Sequence, residues 1–75
     1  MSGVLRWTGH SLKEMAKDGI IQNDVLNVLR AGVVSEAEWE HGEWRYHVEA
    51  RRLCVVIAFE ASTVVVVVTA WRNRS

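Results

Sequence analysis

An α+β fold, with two short N-terminal helices packed on one face of a four- or five-stranded and mainly antiparallel sheet, is predicted by three features of the chain. Apolar residues follow helical spacing through Leu29 and alternate with a period of two after Gly32. Short turn signals then divide the C-terminal half into successive apolar runs. Helices first and hairpin-linked strands afterwards is the order of an α+β domain rather than of a βαβ chain. There is no proline, no Ser/Gly-rich linker and no internal repeat, so residues 1–75 form a single domain. At this size only about 60% of the unfolded surface is buried, so the stability margin is thin.

Val4–Trp7 reads as a short first strand. Thr8 or Ser11 caps the next segment, and Ser11-Leu12-Lys13-Glu14 has capping-box spacing, with Glu14 reaching back to the cap. Leu12, Met15 and Ala16 share the apolar side of this helix, and Gly19 suits the left-handed position after it. Val25, Leu26, Val28 and Leu29 mark the second helix, which starts near Gln22 or Asn23 and ends at Gly32. Asp24 and Arg30 complement its dipole. Val33–Glu40 is extended, and His41-Gly42 is a hairpin turn into the strand Glu43–Ala50. Arg51-Arg52 makes the next connection, Leu53–Phe59 is a strand, Glu60-Ala61-Ser62 turns, and Thr63–Trp71 closes the sheet. The run Val64–Val68 would be hazardous on an edge. It is expected between Leu53–Phe59 and the N-terminal strand.

Successive strand side chains face opposite sides of a sheet. Strict alternation puts Trp44, Tyr46, Val48, Leu53, Val55, Ile57, Phe59, Val64, Val66 and Val68 under the helices. The opposite face then carries Arg45, His47, Glu49, Cys54, Val56, Ala58, Thr63, Val65, Val67, Thr69 and Trp71. Two helices cover one face only, so an apolar patch of Val56, Ala58, Val65, Val67 and Trp71 is expected to bind a partner or a second copy of the chain.

Nine basic and nine acidic residues balance to zero net charge, which argues against simple sequence-blind nucleic-acid binding. Residues 1–40 hold four basic and six acidic groups, and residues 41–75 hold five and three, so the sheet half is mildly basic and can accept an anion. Cys54 stands alone in an apolar run and reads as a small core residue. His10, His41, His47 and Cys54 lack metal-site spacing, and the five glycines are scattered singly, so neither a metal nor a cofactor is expected. The N-terminus lacks a signal-peptide pattern, and the apolar runs are too short to span a membrane. A cytoplasmic location is the expectation.

His10 at the start of the first helix, Gly19-Ile20, Asp24-Val25, Trp44-Arg45-Tyr46-His47-Val48 and the closing Val67–Arg72 occur in an order that resembles domain-of-unknown-function family 4258, over about residues 7–72. That family is grouped with the RelE/ParE/MqsR toxin-like fold and is often encoded beside an MqsA-like antitoxin with a helix-turn-helix. The resemblance implies the toxin of a type II toxin–antitoxin pair, acting by RNA cleavage or translation inhibition and neutralised by its cognate antitoxin.

Metal-independent RNA cleavage needs proton transfer at the 2′- and 5′-oxygens and stabilisation of the phosphorane. Histidine suits the proton transfers, and arginine's planar fork suits the phosphate. His47 is the candidate acid or base, with His10 as a second, and Arg45 and Arg72 are the phosphate-stabilising candidates. Arg51, Arg52, Arg74 and Trp71 are candidate RNA contacts, Trp71 by stacking on a base. The plainer readings are an ion pair of His47 with Glu49 or the acids of Val33–Glu40, and a solvated turn at Arg51-Arg52.

Overall fold

The computed structural model describes residues 4–73, so Arg74 lies outside the described residues. The order is β1 (Val4–Trp7), α1 (Gly9–Lys17), α2 (Gln22–Ala31), β2 (Val33–Glu40), β3 (Glu43–Ala50), β4 (Leu53–Ala61) and β5 (Val64–Arg72). One five-stranded sheet runs β1-β5-β4-β3-β2. β1 is parallel to β5 and the remaining pairs are antiparallel. The valine-rich β5 is therefore paired on both sides, by β4 and by the N-terminal strand, as its sequence requires.

Thr8, not Ser11, is the N-cap of α1. Its hydroxyl accepts from Ser11 N–H at 2.9 Å, and the Ser11 hydroxyl accepts from Thr8 N–H at 3.1 Å and donates to Thr8 O at 2.8 Å. The reciprocal box is thus Thr8/Ser11, while Glu14 pairs with Lys17. A cap of this kind contributes about 1 kcal/mol. The same Thr8 hydroxyl reaches Val67 O and Val68 O, tying the start of α1 to β5. Ser11 and Met15 form the buried side of α1, whereas Leu12 and Ala16 are exposed. In α2, Val25 and Val28 are buried and Leu26 and Leu29 half-buried, as periodicity predicts. Ile21 is the N-cap residue, and Asp24 Oδ2 accepts its N–H at 3.0 Å.

The core lies between the helices and the middle of the sheet. It comprises Met15, Ile20, Val25, Val28, Val48, Leu53, Val55, Ile57, Val67 and Ala70, flanked by Leu5, Trp7, Leu29, Tyr46, Ala50 and Val65. Val25, Val55 and Val67 are fully buried, and each contributes about 1.5–3 kcal/mol over an exposed side chain.

Extra residues in the ladders decide which side chains share a face. Val34 opposes Val48, but Glu36 rather than Ser35 opposes His47, so Ser35 is an inserted residue. Val56 opposes Thr69 and Ile57 opposes Val67, which makes Val68 a second one, and Glu60 is a third. The bulge at Val68 overturns the expected valine parity. Val65 and Val67 pack under the helices, and Val66, opposite Ala58, lies on the other face. Beyond the bulge Thr69 and Trp71 do take that other face, opposite Val56 and Cys54. The expected patch of Val56, Ala58, Val65, Val67 and Trp71 is therefore split between the two faces.

Trp44 and Phe59, expected in the core, are 51% and 49% exposed. They have core-side parity, but α1 and α2 do not cover the end of the sheet where β3 begins and β4 finishes. Trp39 meets Trp44 edge to face at 5.5 Å, and Phe59 meets Tyr46 at 5.9 Å.

Candidate functional site

The face without helices is not an open apolar patch. Cys54, Val56 and Ala58 on the central strand β4 are 3%, 5% and 2% exposed. These small side chains sit in the middle of the face, and the larger Arg45, His47 and Trp71 on the adjoining strands rise around them. Glu36, Glu38, Glu40, Glu43 and Glu49 share this face with Arg45 and His47. Farther across, Arg6 of β1 is held by both oxygens of Glu60, at 2.7 and 2.6 Å. The face is acidic, contrary to the mild basic excess of the C-terminal half. β2 brings three carboxylates from residues 1–40 into the sheet.

His47 lies at the centre of the cluster. Its Nε2 is 3.5 Å from Glu38 Oε1, and its Nδ1 is 3.8 Å from Glu36 Oε2 and 3.9 Å from Cys54 Sγ. The Trp71 ring packs edge-on against the imidazole at 5.9 Å, and Trp71 Nε1–H donates to Asn73 Oδ1. Asn73 in turn donates to Glu49 Oε1 at 3.2 Å. The expected pairing of His47 with acids of the preceding strand is thus present, whereas Glu49 is bound elsewhere. Glu36 raises the affinity of Glu38 for its proton, first by a shared hydrogen bond and then by like charge, with smaller desolvation. Burial pushes the Cys54 thiol up to about 11, with further contributions from the charges of Glu49 and Glu36. Cys54 is therefore no nucleophile at neutral pH.

The arginine candidates do not converge on His47. Arg45 is engaged by Glu40 at 3.1 Å and Glu43 at 3.4 Å. Arg72 opposes Leu53, on the helix side of β5, and binds the α1–α2 junction. Its backbone N–H donates to Asp18 Oδ2 at 2.9 Å and its Nε–H to Asp18 O at 3.4 Å. His10 is exposed in the first turn of α1 and makes no contact with the His47 cluster among the described residues. Arg51 and Arg52 form an exposed two-residue turn with φ of 48° and 68°. Trp71 is half-buried beside His47, the two rings meeting edge to face.

Glu36 and Glu38 were not singled out by residue spacing. Glu36, Glu38 and His47 can each present one donor atom so that all three lie within 4.8 Å of one another. The absence of His/Cys metal spacing carries no information about such a set. A cross-strand donor triad has no fixed sequence interval, and the one available signal was the alternation of acids after Gly32.

Architecture and site together define an α+β domain: a two-helix layer on one face of a mixed five-stranded sheet, and an acidic, imidazole-centred cluster on the other. Residues 7–72 match the family model described as Domain of unknown function (DUF4258), and the chain belongs to that family. No curated protein and no solved structure matches it. No helix of the described residues is long and apolar enough to cross a membrane.

Proposed function

We propose that this domain is a protein-binding module that receives an extended segment of a partner along the free edge of β2. The observation that carries this reading is the apolar surface beside that edge. Val34, Trp39, Trp44 and Phe59 are 57%, 61%, 51% and 49% exposed and lie together where the helices stop short of the sheet. A groove of about 480 Å³, lined in part by Leu29, Val34, Val48, Ile57 and Phe59, continues this surface toward α2. β2 pairs with β3 on one side only, so its outward N–H and C=O groups can receive a further strand. Exposed aromatic anchors next to a groove are the usual energetic centre of an interface.

A second copy is a poor occupant. Antiparallel pairing of β2 with itself would set Glu36, Glu38 and Glu40 against their counterparts, and like charges directly opposite are destabilising. The resemblance to toxin families makes an MqsA-like antitoxin the first partner to test. A photo-crosslinking residue at Trp39 should give discrete adducts in cells, and one at Lys13, exposed on α1, should not. Equal labelling at both positions, or none at Trp39, would refute the binding edge.

RNA cleavage is the second reading, and its support rests on His47. A phosphate approaching it would meet Glu36 and Glu38 first, and Arg45 would have to leave two carboxylates. Expression of the wild type beside His47→Ala and Arg45→Ala decides this. Growth arrest with RNA breakdown, relieved by both substitutions, would place ribonuclease activity ahead of binding alone.

A further inference from the structure

We propose that Glu36, Glu38 and His47 form a binding site for a divalent transition-metal ion of the zinc class. The site is built by the strand geometry. Glu36 and Glu38 are two apart on β2 and therefore project to the same side. The bulge at Ser35 turns that side toward His47, which stands directly opposite Glu36 on β3. Two donors from one strand and a third from its neighbour approach an ion from three directions, leaving at least one coordination position toward solvent.

The distances suit the ion after small side-chain rotations. Bonds of ~2.0–2.2 Å to nitrogen and oxygen, arranged tetrahedrally, set the donor atoms ~3.3–3.5 Å apart. His47 Nε2 and Glu38 Oε1 are 3.5 Å apart as they stand. Glu36, whose side chain is 59% exposed and already turned toward Glu38, closes the remaining edge by a rotation at the surface. The imidazole is the fixed member: its side chain is 19% exposed and its ring is braced by Trp71. A histidine held in this way loses little freedom on binding and presents a borderline-soft nitrogen, which favours zinc-class ions over calcium or magnesium.

Counterions single out this pair of carboxylates from the other acids of the chain. Glu14 pairs with Lys17, Glu40 and Glu43 with Arg45, and Glu60 with Arg6. Asp18, Asp24 and Glu49 accept N–H groups. Among the described residues, Glu36 and Glu38 have no lysine or arginine ion-pair partner; they lie against each other and near His47. Two adjacent carboxylates without a fixed cation, converging on an imidazole, form a site that a divalent ion completes.

The site lies on the face opposite the apolar surface of the binding reading, so the two proposals succeed or fail separately. The test is a calorimetric titration of zinc chloride into the metal-free full chain near neutral pH, with cobalt absorption as a second readout. One ion per chain is expected, with a tetrahedral-type cobalt spectrum. Glu38→Gln and His47→Gln should each weaken binding by about ten-fold or more. Glu43→Gln, an acid on the same face that Arg45 already holds, should leave it unchanged. Glu36→Gln, at an exposed position that tolerates the change, guards against misfolding of the His47 variant and should also weaken binding. No saturable binding, or binding that survives all three ligand substitutions, would overturn the site. An equal loss in Glu43→Gln would reduce it to diffuse acidic attraction.

Discussion

The double substitution Arg51→Asn with Arg52→Gly, in the turn between β3 and β4, should stabilise the domain. Both arginines have positive φ, 48° and 68°, in the left-handed region that two-residue hairpins require. A non-glycine residue there costs about 1–2 kcal/mol. Both residues are exposed, and among the described residues neither side chain has an ion pair or hydrogen bond to offset that cost. Glycine at the second position would relieve the strain fully and asparagine at the first in part, for a gross gain of about 1.5–3 kcal/mol. The added freedom of glycine in the unfolded chain returns about 0.5–1 kcal/mol. The net expectation is about 1–2 kcal/mol, or a rise in Tm of about 4–16 °C for a domain of this size. The hydrogen bond from Asn73 N–H to Arg52 O uses backbone at the turn and survives the substitution. Urea unfolding followed by circular dichroism measures the change at constant slope. An unchanged or lowered midpoint with the same slope would show that the turn is not strained, or that the arginines make stabilising contacts in solution.

Cys54 should resist thiol reagents in the folded protein. With its thiol at about 11, only about one molecule in a thousand is ionised at pH 8, and labelling should track global unfolding. The unfolded thiol ionises earlier, so the native state should lose stability as pH rises from the ordinary cysteine range toward 11. Trp71→Ala should cost about 2–4 kcal/mol and accelerate Cys54 labelling, because the ring stands opposite Cys54 and beside His47. Unchanged labelling in that variant would count against Trp71 as the cover. Gly32→Ala should destabilise by about 1–3 kcal/mol, measured by urea midpoint. Its Cβ would fall 2.8 Å from Val48 Cγ1 and 2.9 Å from Glu49 O, and near the Val28 carbonyl. Deletion of Ser35 should preserve cooperative folding, because Val34 and Glu36 would then alternate regularly opposite Val48 and His47 and leave Glu36, Glu38 and Glu40 on their present face; loss of the sharp unfolding transition in that variant would contradict the bulge.

The element order, the helix ends at Gly19 and Gly32 and the His41-Gly42 turn were legible because each rests on a local signal. Periodicity marked α2 as soundly as it could, since Val25 and Val28 are buried by one neighbouring layer. Alternation failed where the ladder gains a residue. Nothing in five successive valines announces that Val68 is the inserted one, so the face of Val65 and Val67 was reversed while that of Thr69 and Trp71 was not. Trp44 and Phe59 failed for a different reason. Alternation gives their side of the sheet correctly, but the reach of the helices decides whether that side is covered. The His47 pairing with acids of the preceding strand was legible as an option, and its partners were chosen by Ser35.

Local chemistry thus determined the elements and the α+β class, because helix, strand and turn preferences act over a few residues. Tertiary structure alone decided which groups meet. The inserted residues at Ser35 and Val68 set side-chain parity across the ladders, and the helices end short of β2. Register and coverage depend on partners distant in the chain. For that reason the acidic cluster around His47 and the aromatic surface beside β2 emerged only with the folded sheet.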